Sequence, residues 1–186
     1  MIARILRAIR LDPTVYREVA DDQSAMSQAA IIVIVVTLMS AIGGGIGMLM
    51  AKASAGKAAL GFFSEWLLSG ILISWILWAI LTYFVGTKLF KGKTNIPEMM
   101  RVLGFASAPR LLGLFGFIPC VGWLISLVGA ILSLIAGFIA VREAMEFDTR
   151  NAIITVVISW VISFIITLVL GAILGGGMTI MSGVLG

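Results

Sequence analysis

Few side chains in this sequence could do chemistry, and one of them stands in an unusual place. Arg110 lies near the middle of RVLGFASAPRLLGLFGFIP (residues 101–119), a stretch apolar enough to enter a membrane. A charge in hydrocarbon costs at least about 2.5–3.5 kcal/mol, so it should be paired, hydrated or functional. A guanidinium makes paired hydrogen bonds to phosphate or carboxylate, which makes Arg110 a candidate lipid- or anion-binding residue. Pro109 breaks the stretch beside it and Pro119 closes it. Carbonyls freed by that break, or the interface reached by snorkelling, are the structural alternatives for the same side chain. Arg101, Lys88, Lys91 and Lys93 lie just upstream and join it as candidates for lipid or anion binding.

Other chemistries have little to work with. There is no histidine, which removes the commonest general base and the commonest zinc ligand. Ser107 and Cys120 therefore have no histidine to activate them, and no paired acids fall within the apolar runs. With Cys120 alone, no intrachain disulfide can form. AKASAGKAALG (51–61) resembles a phosphate-binding loop only superficially, since Ala51 stands for the first glycine and Ala58 for the metal-binding hydroxyl. The expectation is a non-enzymatic protein with no catalytic residues, no metal and no cofactor.

The elements that must position Arg110 are membrane helices. Only 12% of the 186 residues are charged, against about 25% in an ordinary soluble domain, and the mean hydropathy is +1.16. Core helices of soluble bundles rarely run ~20 residues without a charge. The net charge of +4 comes from basic residues clustered beside the apolar runs, which points to membrane orientation rather than nucleic acid.

The sequence predicts an all-α integral membrane bundle of five transmembrane helices preceded by short amphipathic interfacial helices. Residues 1–27 form the amino-terminal segment and 28–186 the membrane domain, with spans at about 28–50, 64–87, 96–118, 121–141 and 152–174. In 1–11, Ile2, Ile5, Leu6 and Ile9 recur at helical spacing with Arg4, Arg7 and Arg10 between them. That suits a helix lying on anionic lipid, or equally a basic flank that only sets topology. Asp12-Pro13 starts a second helix over 13–20, with Val15, Tyr16 and Val19 on one side. Small residues mark close helix contacts: Gly43 with Gly47, Gly129 with Ser133 and Gly137, Gly171 with Gly175.

Asn95 and Glu98 resemble a capping box opening the third segment. Two geometries fit that segment. Either a bent helix crosses with Arg110 near mid-depth, or 96–108 lies at the inner interface and 110–118 dips in. VREAMEFDTRN (141–151) reads as a short charged loop, and the tail GGGMTIMSGVLG (175–186) as a mobile end. With the amino terminus inside, ten of the lysines and arginines fall on inner segments and two, Lys52 and Lys57, on outer ones. The asymmetry predicts a cytoplasmic amino terminus and an outside carboxyl terminus.

LDPTVYREVADD (11–22), LTYFVGTKLFKGK (81–93), RVLGFASAPRLLGL (101–114), GFIPCVGW (116–123) and AVREAMEFDTRNAI (140–153) carry a resemblance across nearly the whole chain. It resembles the Yip family, the Ypt-interacting membrane proteins, in its short prokaryotic form. The resemblance implies a five-span architecture, a non-enzymatic role and a prokaryotic plasma membrane. Eukaryotic members associate with Rab-type GTPases in vesicle traffic. Residues 1–27 leave little surface for a GTPase, so that role is not carried over. The expected function is a membrane scaffold or adaptor that binds partners or lipid. Its expected partners are anionic lipid on the cytoplasmic face and other membrane proteins or further copies of itself. The alternative is a transporter or channel for lipid or a small anion, with its site around Arg110 at the Pro109 break.

Overall fold

The computed structural model describes residues 1–50, 54, 56, 59, 75–118 and 121–184. The described elements are α1 (Ile2–Ile9), α2 (Pro13–Asp21), α3 (Ala25–Met50), α4 (Trp78–Phe90), α5 (Ile96–Ala106), a 3-10 helix (Ala108–Phe117), α6 (Gly122–Met145) and α7 (Thr149–Val184). No strand occurs among the described residues.

The starts and stops follow local chemistry. Asp12 Oδ1 accepts the Thr14 backbone N–H at 3.0 Å, and Pro13 fills the first turn of α2. Asn95 Oδ1 accepts the Glu98 N–H at 2.9 Å at the start of α5. Pro109 has no N–H to offer the Phe105 carbonyl, so α5 stops and the chain tightens into the 3-10 helix, where Arg110 N–H donates to the Ser107 carbonyl at 2.9 Å. The Ala106 carbonyl, which a continuing α-helix would pair with Arg110, instead accepts the Ser133 hydroxyl of α6 at 2.8 Å. An unpaired carbonyl in hydrocarbon costs several kcal/mol, so this one side chain makes the break tolerable.

The core is organised around α5. Met99, Val102, Leu103, Phe105 and Ala106 are each at most 1% exposed, because α1, α2, α3, α4 and α6 all pack on this helix. On one side Gly104 meets Ala29 of α3 so closely that an added Cβ would lie 2.7 Å from the alanine's. The 3-10 helix then runs along α6 and α3. Gly129 lets it approach: a Cβ there would stand 3.0 Å from the Pro109 carbonyl oxygen. Gly137 makes room for the Trp78 ring of α4, and Trp75 anchors its own end through Nε1–H to the Met100 carbonyl at 2.9 Å. Thus Gly129, Ser133 and Gly137 all face neighbours. Gly43 is buried, while the surroundings of Gly47, Gly171 and Gly175, and the second proline, Pro119, lie outside the described residues.

Among the described residues, three helices are long and apolar enough to cross a membrane: Ala25–Gly43, Leu124–Met145 and Thr149–Val169. Trp75–Phe90 is apolar but shorter, and about half of the expected second span lies outside the described residues. The third segment divides at Ser107 instead of forming one bent α-helix. Its course is nonetheless steep. Ser133, which takes the Ala106 carbonyl, is about 18 Å along α6 from Met145, and Gly129, beside Pro109 and Arg110, is about 24 Å from it.

One expectation is corrected. Residues 141–145 and 149–151 are helical, so the charged loop shrinks to Glu146–Asp148, with Glu146 left-handed at φ 54°. The glycine-rich tail is helical as far as Val184. Glycine weakens a helix by up to about 1 kcal/mol per residue in water, but hydrocarbon offers the backbone no other partner.

Candidate functional site

The amino-terminal layer is built from opposite charges. Arg4 Nε and Nη1 donate to Glu18 and Asp22, both at 2.8 Å, and Arg7 donates to Asp12 at 2.9 Å and Glu18 at 2.7 Å. The Thr14 and Arg7 hydrogen bonds hold the Asp12 carboxyl at about 2, and the Ser24 and Arg4 bonds hold Asp22 at about 2. Arg7 and Arg4 also lower Glu18. Beneath this network Val15, Tyr16 and Val19 are fully buried, and the Tyr16 hydroxyl donates to the Ala8 carbonyl at 3.1 Å. Burial pushes that phenol well above its ordinary range.

This revises the surface-helix expectation. Ile5 and Ile9 face the core with Ala8, whereas Ile2 and Leu6 remain 74% and 51% exposed. Arg4 and Arg7 are held by carboxylates of the same layer, so their charge is balanced within it. Arg10 follows Leu6 by one turn and stays exposed.

Arg101 is also not a surface cation. Its side chain is buried in α5, where Nε donates to the Val19 carbonyl at 3.2 Å and Nη2 to the Ala20 carbonyl. These are last-turn carbonyls of α2, which have no partner within their own helix and sit at the negative end of its dipole. Arg101 therefore fastens the layer to the bundle. Lys93 lies 3.9 Å from Glu146, which also accepts from Arg17 at 3.1 Å; both pairs are exposed and add little. Together with Asp21, Glu98 and Glu143 these residues line a polar hollow of about 200 Å³ where α2, the α4–α5 turn and the end of α6 meet. Lys88 and Lys91 are exposed at the end of α4.

Arg110 stands apart from all of these. It lines a groove of about 280 Å³ with Trp78, Ser133, Trp160 and Ser163, between α4, the 3-10 helix, α6 and α7. Ala130, Ile131 and Leu134 complete its wall. The five candidate basic residues thus occupy four settings: a buried clamp at Arg101, an exposed helix end at Lys88 and Lys91, a polar hollow at Lys93 and a groove within the bundle at Arg110.

A family model described as the Yip1 domain matches residues 8–171. The chain belongs to the Yip1 domain family. The comparisons with curated proteins and with solved structures found no match. The Yip1 domain as matched runs from the inner face of α1 into α7, so it contains the Arg101 clamp and every wall of the Arg110 groove. Membership and the three long apolar helices make this a multi-pass membrane protein.

Some positions of this Yip1 domain escaped sequence reasoning. Gly104 carries the α3–α5 contact, and its signal was present as a small-residue pair with Ala108 four positions on. Gly86 lies against Met145 and Thr155 and joins α4 to α6 and α7. The Arg101 clamp had no signal, because its acceptors are backbone carbonyls about 80 residues away in sequence.

Proposed function

We propose that this Yip1-domain protein is a non-enzymatic membrane adaptor that presents its amino-terminal layer to partner proteins on the cytoplasmic side. The observation that carries the proposal is the construction of that layer. Its arginines and carboxylates satisfy one another, and Arg101 clamps it to the core. A pre-organised surface results, with Ile2 and Leu6 exposed beside Arg10. A rigid apolar pair next to a charge suits specific docking, since little ordering entropy is lost on binding.

Five crossings and an inner amino terminus complete the proposal. The Arg17–Glu146 pair puts the layer and the α6–α7 turn at one end, and Lys88, Lys91 and Lys93 share that end through Lys93 and Glu146. The excess of basic residues there supports a cytoplasmic assignment.

Photo-crosslinking in the native membrane tests this. A crosslinking side chain at Leu6 should give a defined protein adduct, and one at Val157 on the exposed face of α7 should give lipid adducts. Lipid adducts alone at both positions would overturn the adaptor reading.

A further inference from the structure

We infer that the groove around Arg110 holds one phospholipid, with the lipid phosphate on the Arg110 guanidinium. The inference rests on the membrane assignment and is independent of the adaptor role. Three observations support it.

The first is composition. One cation and two serines, Ser133 and Ser163, share a wall with two indoles inside an otherwise apolar bundle. Guanidinium forks match phosphate oxygens, and five N–H donors let one arginine serve the fold and a phosphate together.

The second is access. Ile131, Leu134 and Trp160 on the rim are 49%, 42% and 52% exposed, and they belong to outward faces of α6 and α7 that meet acyl chains. The opening therefore faces lipid, which selects a phospholipid over a free anion from solution. At about 280 Å³ the space lies at the small end of ligand sites. It takes a headgroup phosphate and the start of the chains, with the rest lying along α6 and α7.

The third is depth. Arg110 packs against Gly129, about 10 Å along α6 from its start at Gly122 and about 24 Å from its end at Met145. From there a long arginine side chain reaches toward the headgroup region on the side of Gly122, opposite the amino-terminal layer.

Native mass spectrometry of the full chain, exchanged from micelles containing phosphatidylglycerol, tests the proposal. The wild type should retain one phosphatidylglycerol. Arg110→Gln should lower its occupancy by about tenfold or more, the worth of one or two charge-assisted hydrogen bonds. Ala130→Trp keeps the arginine but fills the groove, and should lose the lipid as well. Diacylglycerol, which lacks the phosphate, should not be retained.

Undiminished phosphatidylglycerol on either folded variant would overturn the proposal, as would equal retention of diacylglycerol. An adduct of inorganic phosphate that displaces the lipid would overturn the lipid as its source. If Arg110→Gln does not fold, the Ala130→Trp result decides.

Discussion

Replacing Arg101 by methionine should release the amino-terminal layer while leaving the membrane helices in place. Wild-type Arg101 is 7% exposed, and its guanidinium donates to two carbonyls, those of Val19 and Ala20. Hydrogen bonds from a charged donor contribute about 1.5–3 kcal/mol each, so the pair is worth about 3–6 kcal/mol. Methionine is of similar length and carries no desolvation penalty, which returns part of that sum and leaves a net loss of about 2–4 kcal/mol. The loss falls on α2, because its last carbonyls are the groups left without partners. Hydrogen exchange read by mass spectrometry should show protection of residues 13–21 falling by roughly 30- to 1000-fold, the same energy expressed as an opening constant. Arg101→Lys should fall between the two, since an ammonium keeps the charge at the helix end but lacks the fork. Unchanged protection of α2 in a folded Arg101→Met protein would refute the reasoning.

Further outcomes follow from other positions. Gly104→Ala forces a Cβ against the backbone and side chain of Ala29 and should cost about 1–3 kcal/mol, read as a lower Tm in detergent; an unchanged Tm would mean that the α3–α5 contact is looser than 2.7 Å implies. Lys91 ends α4 in the left-handed region at φ 58°, so Lys91→Gly should stabilise by about 1 kcal/mol, and a lower Tm would contradict that strain. Acid should open the layer before it opens the spans. The Asp12 and Asp22 carboxyls titrate near 2 instead of the ordinary 3.8, so their contribution is complete above about pH 4 and is lost as pH falls toward 2. Proteolysis of residues 1–22 across that window should rise, and a layer that stays protected at pH 2 would contradict the ion-pair account.

The sequence carried the parts of this fold that depend on periodicity, caps and breakers. Val15, Tyr16 and Val19 are buried as spaced, Asp12 and Asn95 cap their helices, and Pro109 ends α5. The small residues Gly129, Ser133 and Gly137 face partners. What it could not carry were distant pairings. Arg4 and Arg7 read equally as a lipid-facing stripe or a basic topology flank, because their carboxylate partners lie around another helix, and Arg101 reads as one more cation near a membrane until its acceptor carbonyls are placed. Helix ends in apolar surroundings were also misjudged. Arg142 and Glu143 look like loop residues, yet burial of Ala144 and Met145 keeps α6 wound past them. Arg110 itself was legible as an anomaly from composition alone, whereas the indoles and serines around it come from α4, α6 and α7 and were not.

The central proposal is an amino-terminal layer at the cytoplasmic end of a membrane bundle. Cysteine accessibility in intact cells tests this most directly, with Cys120→Ser as the background. Leu6→Cys and Asp148→Cys should react with a membrane-impermeant maleimide only after permeabilisation, and Val121→Cys, at the opposite end of α6, should react before it. Labelling of Leu6→Cys in intact cells, or labelling of Leu6→Cys and Asp148→Cys from opposite sides, would contradict the account.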